Sequence, residues 1–129
     1  EFTLVGRDSS NEIMEELAKN CRKVLSSIAR KHHLMFEFEQ MSWLEPQPMS
    51  ERVIEQIKHD AQQMGLDYLQ LPSGAGHDAQ HLAKVTDTGM IFVPSVAGIS
   101  HAPDEWTHWQ DIEKGANLLL MSAMSISHW

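Results

Sequence analysis

The sequence predicts an α/β fold, α+β overall, in a chain of 129 residues, which is the length of one ordinary domain. Three patterns predict it. Apolar residues recur every three or four positions over residues 13–28, which is the period of one helix face. Leu34, Phe36 and Phe38 stand at every second position, as in a strand with one buried face. Residues 90–93 form the short, wholly apolar run that is typical of a buried strand.

Composition and charge exclude several classes of protein. The chain is 42% hydrophobic and 22% charged, and its net charge of −8 disfavours nucleic acid and anionic membranes as partners. The apolar run at residues 118–121 is too short to span a membrane. Cys21 is the single cysteine, so it forms no disulfide within the chain, and we expect a buried thiol in the reducing cytoplasm.

Helix-start and helix-stop signals divide the first two thirds of the chain. Ser9 and Glu12 form the S-x-x-E pattern of a capping box, which predicts a helix to about His33. Ser50 is a typical N-cap for a second helix, and Gly65 is placed to end it at the C′ position. Residues 45–48, Glu-Pro-Gln-Pro, break regular structure between them and mark the best candidate domain boundary.

The remaining elements alternate between short strands and helices. Short strands are predicted at residues 1–6 and 68–71, in addition to the two strands already described. A helix is predicted at about residues 77–85, and Thr107 with Gln110 predicts the start of a last helix that reaches Ile126.

Several polar residues stand where chemistry is feasible, each beside an ordinary structural interpretation. Gly74 and Gly76 can let a ligand approach the backbone or simply form a tight turn, and no Lys with Ser or Thr follows them as in a phosphate loop. His101 follows the apolar run 90–93, where it can ligate a metal or hydrogen-bond to backbone. Arg7 can grip a carboxylate in a bidentate fork or stand in solvent.

Three segments, taken in order, resemble one family. They are Ser-Gly-Ala-Gly-His-Asp-Ala at 73–79, Met-Ile-Phe-Val-Pro at 90–94 and Gly-Ile-Ser-His-Ala-Pro-Asp-Glu at 98–105. They resemble the C-terminal motifs of the hydantoinase/carbamoylase amidohydrolases, which include N-carbamoyl-L-amino-acid hydrolases, allantoate amidohydrolases and β-ureidopropionases. Residues 2–8, Phe-Thr-Leu-Val-Gly-Arg-Asp, resemble a strand of that family's dimerisation lid that ends in arginine.

The resemblance implies a fragment of a two-domain metallohydrolase. Residues 1–45 would be part of the dimerisation lid, as a partial βαβ unit, and residues 46–129 the C-terminal βα units of the catalytic sheet. The complete enzyme would be a cytoplasmic homodimer that uses two divalent ions, Zn or Mn, with Co or Ni as alternatives. It would hydrolyse a small ureido compound that bears a carboxylate. We expect this chain alone to be inactive and to hold no metal tightly, because a catalytic zinc-type site ordinarily takes three protein ligands.

The resemblance also implies roles for individual residues. His77 and Asp78 would be catalytic, with His77 stabilising the tetrahedral intermediate and Asp78 orienting its neighbours. Gly76 and His77 would contact the substrate. His101 would be the last ligand of the two-metal centre.

The resemblance implies roles for two further residues, and two alternatives to an enzyme fragment stay open. Arg7 would grip the substrate carboxylate across the dimer, and Glu105 would support the site. One alternative is a non-catalytic interaction module that keeps the dimerising surface. The other is a small metal-binding protein that uses His77, His81 and His101, since the first two are four residues apart on one helix face.

Overall fold

The computed structural model describes residues 2–128. Its helices are α1 (Asn11–Lys31), α2 (Glu51–Gln63), α3 (Asp78–Leu82) and α4 (Trp109–Ile126), and Val96–Gly98 form a single 3₁₀ turn. Within this described part of the chain, no helix is long and apolar enough to cross a membrane.

The predicted α/β fold is wrong for this chain, because residues 2–128 contain no assigned strand. The segments at 2–6, 34–39, 68–71 and 90–93 are non-helical but unpaired, so the predicted βαβ lid unit and βα sheet units are not seen. Residue 1 of the first predicted strand lies outside the described residues. A helix satisfies its own backbone, whereas a strand needs a neighbouring strand to bond its amides and carbonyls.

The chain divides into two compact units. Unit 1 comprises Glu1–Gln47 and Pro72–Gly76, and unit 2 comprises Pro48–Leu71 and His77–Trp129. Helix α1 therefore belongs to unit 1, and helices α2, α3 and α4 belong to unit 2.

Helix α1 starts one residue later than the S-x-x-E pattern predicts. The Oγ atom of Ser10, and not that of Ser9, accepts a hydrogen bond from the Ile13 amide at 3.4 Å. The reason lies in Asp8, whose carboxylate accepts a hydrogen bond from the Ser10 amide at 2.8 Å and fixes the entry of the chain there. The helix ends close to the predicted residue, with His33 in the left-handed region at a φ of 53°.

The chain after α1 packs back against that helix within unit 1. The Arg22 guanidinium lies 4.4 Å from the centre of the Phe38 ring, in cation–π geometry. The Trp43 Nε1–H donates to the Asn11 side-chain oxygen at 3.3 Å. Cys21, predicted to be buried, is only half-buried.

The core of unit 2 lies between α2 and α4. Val53 and Ala61 of α2 and Leu118 of α4 are buried. The prediction that Gly65 ends α2 is confirmed, because Gly65 has a φ of 64° and the next amide, that of Leu66, donates to the Ala61 carbonyl at 2.9 Å.

Glycines let residues 89–93 approach both α2 and α4. A Cβ atom at Gly89 would stand 2.5 Å from a Val53 methyl, and one at Gly115 would stand 2.5 Å from a Val93 methyl. The segment predicted as a buried strand is thus held against two helices, although Phe92 and Val93 remain exposed.

The last two helices differ from prediction at their ends. Helix α3 is shorter than residues 77–85, because the chain turns after Leu82 and the amide of Val85 donates to the Leu82 carbonyl at 2.9 Å. The N-cap of α4 is His108 rather than Thr107, since the His108 carbonyl accepts the first α-helical hydrogen bond, from the Ile112 amide, at 3.1 Å.

Candidate functional site

His77 stands at the junction between the glycine-containing loop and α3. It is the N-cap of that helix, and its backbone amide donates to the Gln80 side-chain oxygen at 3.2 Å. The Gln80 amide donates in return to the His77 carbonyl at 3.0 Å. These bonds fix the backbone from which the imidazole projects.

The imidazole of His77 is half-buried against Phe92. The two ring centres are 5.7 Å apart and the planes meet at 63°, which is the edge-to-face arrangement that aromatic pairs prefer. Gly89 packs closely on α2, and Phe92, three residues later, lies against His77 at the start of α3. Residues 89–93 are thus part of the site.

The loop before His77 is ordered by a local side-chain bond. Ser73 Oγ accepts a hydrogen bond from the Ala75 amide at 3.2 Å. A Cβ atom added at Gly74 would meet nothing within 4 Å, so open space adjoins this loop. Gly76 and Asp78, on either side of His77, are exposed. An open, glycine-containing loop can bring backbone amides close to a ligand.

His101 lies in a second loop, residues 95–106. Its side chain is exposed and its backbone is left-handed, with a φ of 57°. The His101 amide donates to the Glu105 carboxylate at 2.7 Å. The base of the loop is closed by the Val96 amide, which donates to the Trp106 carbonyl at 2.8 Å, and Ser95 Oγ donates to the Ile99 carbonyl inside it.

The residues present do not make a complete metal centre. Residues 2–128 contain no group of three or more His, Cys, Asp or Glu side chains that could hold a metal ion. His77, His81 and His101 therefore do not form such a group among the described residues, and the structure gives no support to the alternative of a small metal-binding protein. A divalent ion bound at His101 would need its other ligands from elsewhere.

The remaining predicted site residue, Arg7, belongs to unit 1. It lies in the extended segment that precedes α1, and its side chain is exposed. Gly76 falls in the same unit, whereas His77 and His101 fall in unit 2.

Sequence reasoning missed two residues that shape the site, Gln80 and Phe92. Gln80 stands three positions after His77, which is the spacing of a capping box. A histidine is not among the preferred N-cap residues, so the sequence pattern does not predict a capping box here. The sequence predicts Phe92 only as part of the apolar run at residues 90–93. The structure places its ring against His77.

Comparison with known proteins defines the class of this protein. The pattern of Peptidase family M20/M25/M40 matches residues 5–125, so the chain belongs to that family. Within it, the resemblance to hydantoinase/carbamoylase amidohydrolases predicted from the three motif segments is confirmed. A solved amidase of the hydantoinase/carbamoylase family from Burkholderia multivorans is 32% identical, with a TM-score of 0.84, over 92% of this chain and 29% of that one.

Relatives with named activities support the same family. An N-carbamoyl-L-amino-acid amidohydrolase from Paenarthrobacter aurescens is 32% identical over 93% of this chain and 29% of its own length. An allantoate amidohydrolase from Escherichia coli is 29% identical over 93% of this chain. An uncharacterized hydrolase from Haemophilus influenzae is 42% identical over 88% of this chain and 26% of its own length. The chain thus spans less than a third of the length of the relatives it matches.

Proposed function

We propose that this chain is the C-terminal portion of a metal-dependent amidohydrolase that cleaves the C–N bond of N-carbamoyl amino acids or of allantoate. The observation that carries the proposal is the 32% identity to an N-carbamoyl-L-amino-acid amidohydrolase across 93% of the chain. The chain spans 29% of that relative, so in the proposed enzyme the other metal ligands and the general base come from residues outside these 129.

In the proposed enzyme, His77 faces the reacting carbonyl. Phe92 and Gln80 hold the ring and the backbone of His77, and an imidazole N–H would donate to the oxyanion of the tetrahedral intermediate. Asp78 orients its neighbours, and Gly76 contacts the substrate together with His77. His101 contributes one ligand to the divalent metal centre, and Arg7 binds the substrate carboxylate.

A chimera tests the proposal directly. In the chimera, this chain replaces the matching segment of the Paenarthrobacter aurescens relative. Ammonia release from N-carbamoyl amino acids and allantoate is then measured with added Mn²⁺ or Zn²⁺. We expect the chimera to release ammonia and the 129-residue chain alone to release none. His101→Ala should lower kcat at least a hundredfold, because removing a ligand disturbs the open, fixed coordination that metal catalysis needs.

A matched variant separates this loss from a general effect of removing a histidine. His59 is exposed on α2 and contacts Gln63, so His59→Ala should leave the chimera's kcat unchanged. Turnover by the isolated chain, abolished by His101→Ala, would instead mean that these residues rebuild a site by themselves. A chimera that folds, binds metal and cleaves neither substrate would overturn the proposed function.

The proposed enzyme is a cytoplasmic homodimer, and the surface of α1 supports the association. Four apolar side chains of α1 lie on one side of the helix and are between 41% and 58% exposed: Ile13, Leu17, Val24 and Ile28. We name them the α1 apolar face. The same surface favours the second candidate, a non-catalytic interaction module, which would associate without showing activity in the chimera.

A further inference from the structure

The backbone of His101 adopts a conformation that is costly for residues with a Cβ atom. Its φ of 57° lies in the left-handed region, where the Cβ atom of a non-glycine residue crowds the backbone. Such a conformation persists only where surrounding contacts hold it. The loop must therefore contain a contact that offsets this cost.

That contact comes from Glu105. Its carboxylate accepts the His101 amide at 2.7 Å, a short hydrogen bond of the charge-assisted kind, which is stronger than a bond between neutral groups. The Glu105 amide in turn donates to the Ala102 carbonyl at 3.0 Å, so backbone and side chain of Glu105 both fold back onto the residues that surround His101.

We infer that Glu105 is a positioning residue, whose carboxylate holds the His101 backbone in the left-handed region and so sets the direction in which the imidazole projects. A change from left-handed to extended φ would turn the Cα–Cβ bond of His101 and carry the ring to another part of the surface. The inference rests on the proposed function in one respect, namely that the His101 imidazole is used in catalysis.

Amide hydrogen exchange and the amide-to-Hα coupling of His101, measured by NMR on the 129-residue chain, test the positioning directly. Glu105→Ala should raise the exchange rate of the His101 amide about tenfold or more and change its coupling, since it removes the acceptor. Glu105→Gln keeps an acceptor oxygen of the same reach and should restore part of the protection, since a bond to a neutral amide oxygen is weaker than one to a carboxylate. Asp104→Ala removes the neighbouring exposed carboxylate and should alter neither measurement.

The same variants in the chimera test the consequence for catalysis. Glu105→Ala should lower kcat at least tenfold with little change in KM or in the thermal unfolding midpoint, and Glu105→Gln should recover part of the loss. A merely structural role would instead lower the unfolding midpoint of the alanine variant.

The outcomes separate this inference from the proposed function. Wild-type exchange and coupling in Glu105→Ala would overturn the inference, and so would an active chimera whose kcat does not respond to Glu105→Ala. An inactive parent chimera counts against the proposed function alone, because the exchange measurement still decides whether Glu105 positions His101.

Discussion

Arg7 is the residue on which substrate choice is expected to depend. It is the one cationic residue in the segment 2–8, and its guanidinium is exposed. A guanidinium can bond both oxygens of a carboxylate at once, which fixes the substrate as well as attracting it. In the proposed enzyme this interaction distinguishes N-carbamoyl amino acids from N-carbamoyl amines, which carry no carboxylate.

Arg7→Ala in the chimera should therefore reduce kcat/KM for N-carbamoyl amino acids by about ten- to a hundredfold, the range for a lost hydrogen bond to a charged group. Turnover of an N-carbamoyl amine of the same side chain should not change. For N-carbamoyl amino acids, the kcat/KM of Arg7→Lys should lie between those of the wild type and Arg7→Ala. Lysine keeps the positive charge but cannot bond both carboxylate oxygens in a planar fork. Equal losses on both substrates would show that Arg7 does not read the carboxylate.

For individual site residues, the sequence predicts which ones are candidates but not how their side chains are held in place. His77 and His101 stand out because they adjoin glycine-containing loops and match family motifs. Their orientation depends on Phe92 and Glu105, through a ring contact and a left-handed backbone. Neither arrangement has a periodic sequence pattern, and so neither was predicted.

Among the elements, helices were predictable and strands were not. The start of α1 shifted by one residue, yet the existence of α1, α2 and α4 followed from periodicity and caps, because a helix forms bonds within its own segment. The alternation around Phe36 is equally regular, but a strand depends on a distant partner, and none pairs with it within residues 2–128.

The pairing of α2 with α4 contains a buried carboxylate. Asp60 is 1% exposed, and its Oδ1 accepts hydrogen bonds from Gln56 at 3.0 Å and Ser125 at 3.3 Å. Among the described residues, its Oδ2 and the buried Oγ of Ser122, also in α4, have no hydrogen-bond partner. A buried carboxyl oxygen without a hydrogen-bond partner is costly to desolvate, so we expect this group to reduce the stability of the interface.

Asp60→Asn should raise the free energy of unfolding of the chain by about 1 kcal/mol at neutral pH, measured by urea denaturation. Asparagine keeps an acceptor oxygen for Gln56 and Ser125, and its neutral amide costs less to bury than a carboxylate. Asp67→Asn, at an exposed position after α2, makes the same chemical change and should shift stability by less than about 0.5 kcal/mol. An Asp60→Asn chain no more stable than wild type would show that the carboxylate is compensated.

Over the whole molecule, apolar exposure and net charge act in opposite directions on association. The net charge of −8 repels a second copy, whereas the α1 apolar face offers apolar area that is removed from water when it is covered. Val24 is 58% exposed and lies near the middle of α1, so it is the residue at which a new charge disturbs that face most.

Val24→Glu should therefore weaken self-association of the chain at least tenfold in dissociation constant, measured by light scattering over a concentration series. A carboxylate buried in an apolar interface without a partner costs several kcal/mol, of which about 1.4 kcal/mol already gives a factor of ten. Lys19→Gln provides the matched control, because it lowers the net charge by the same one unit at an exposed α1 position away from the apolar face. If both variants associate as the wild type does, the α1 apolar face is not the contact. If the wild-type chain stays monomeric at the highest concentration, the homodimer and the interaction module both lose their support.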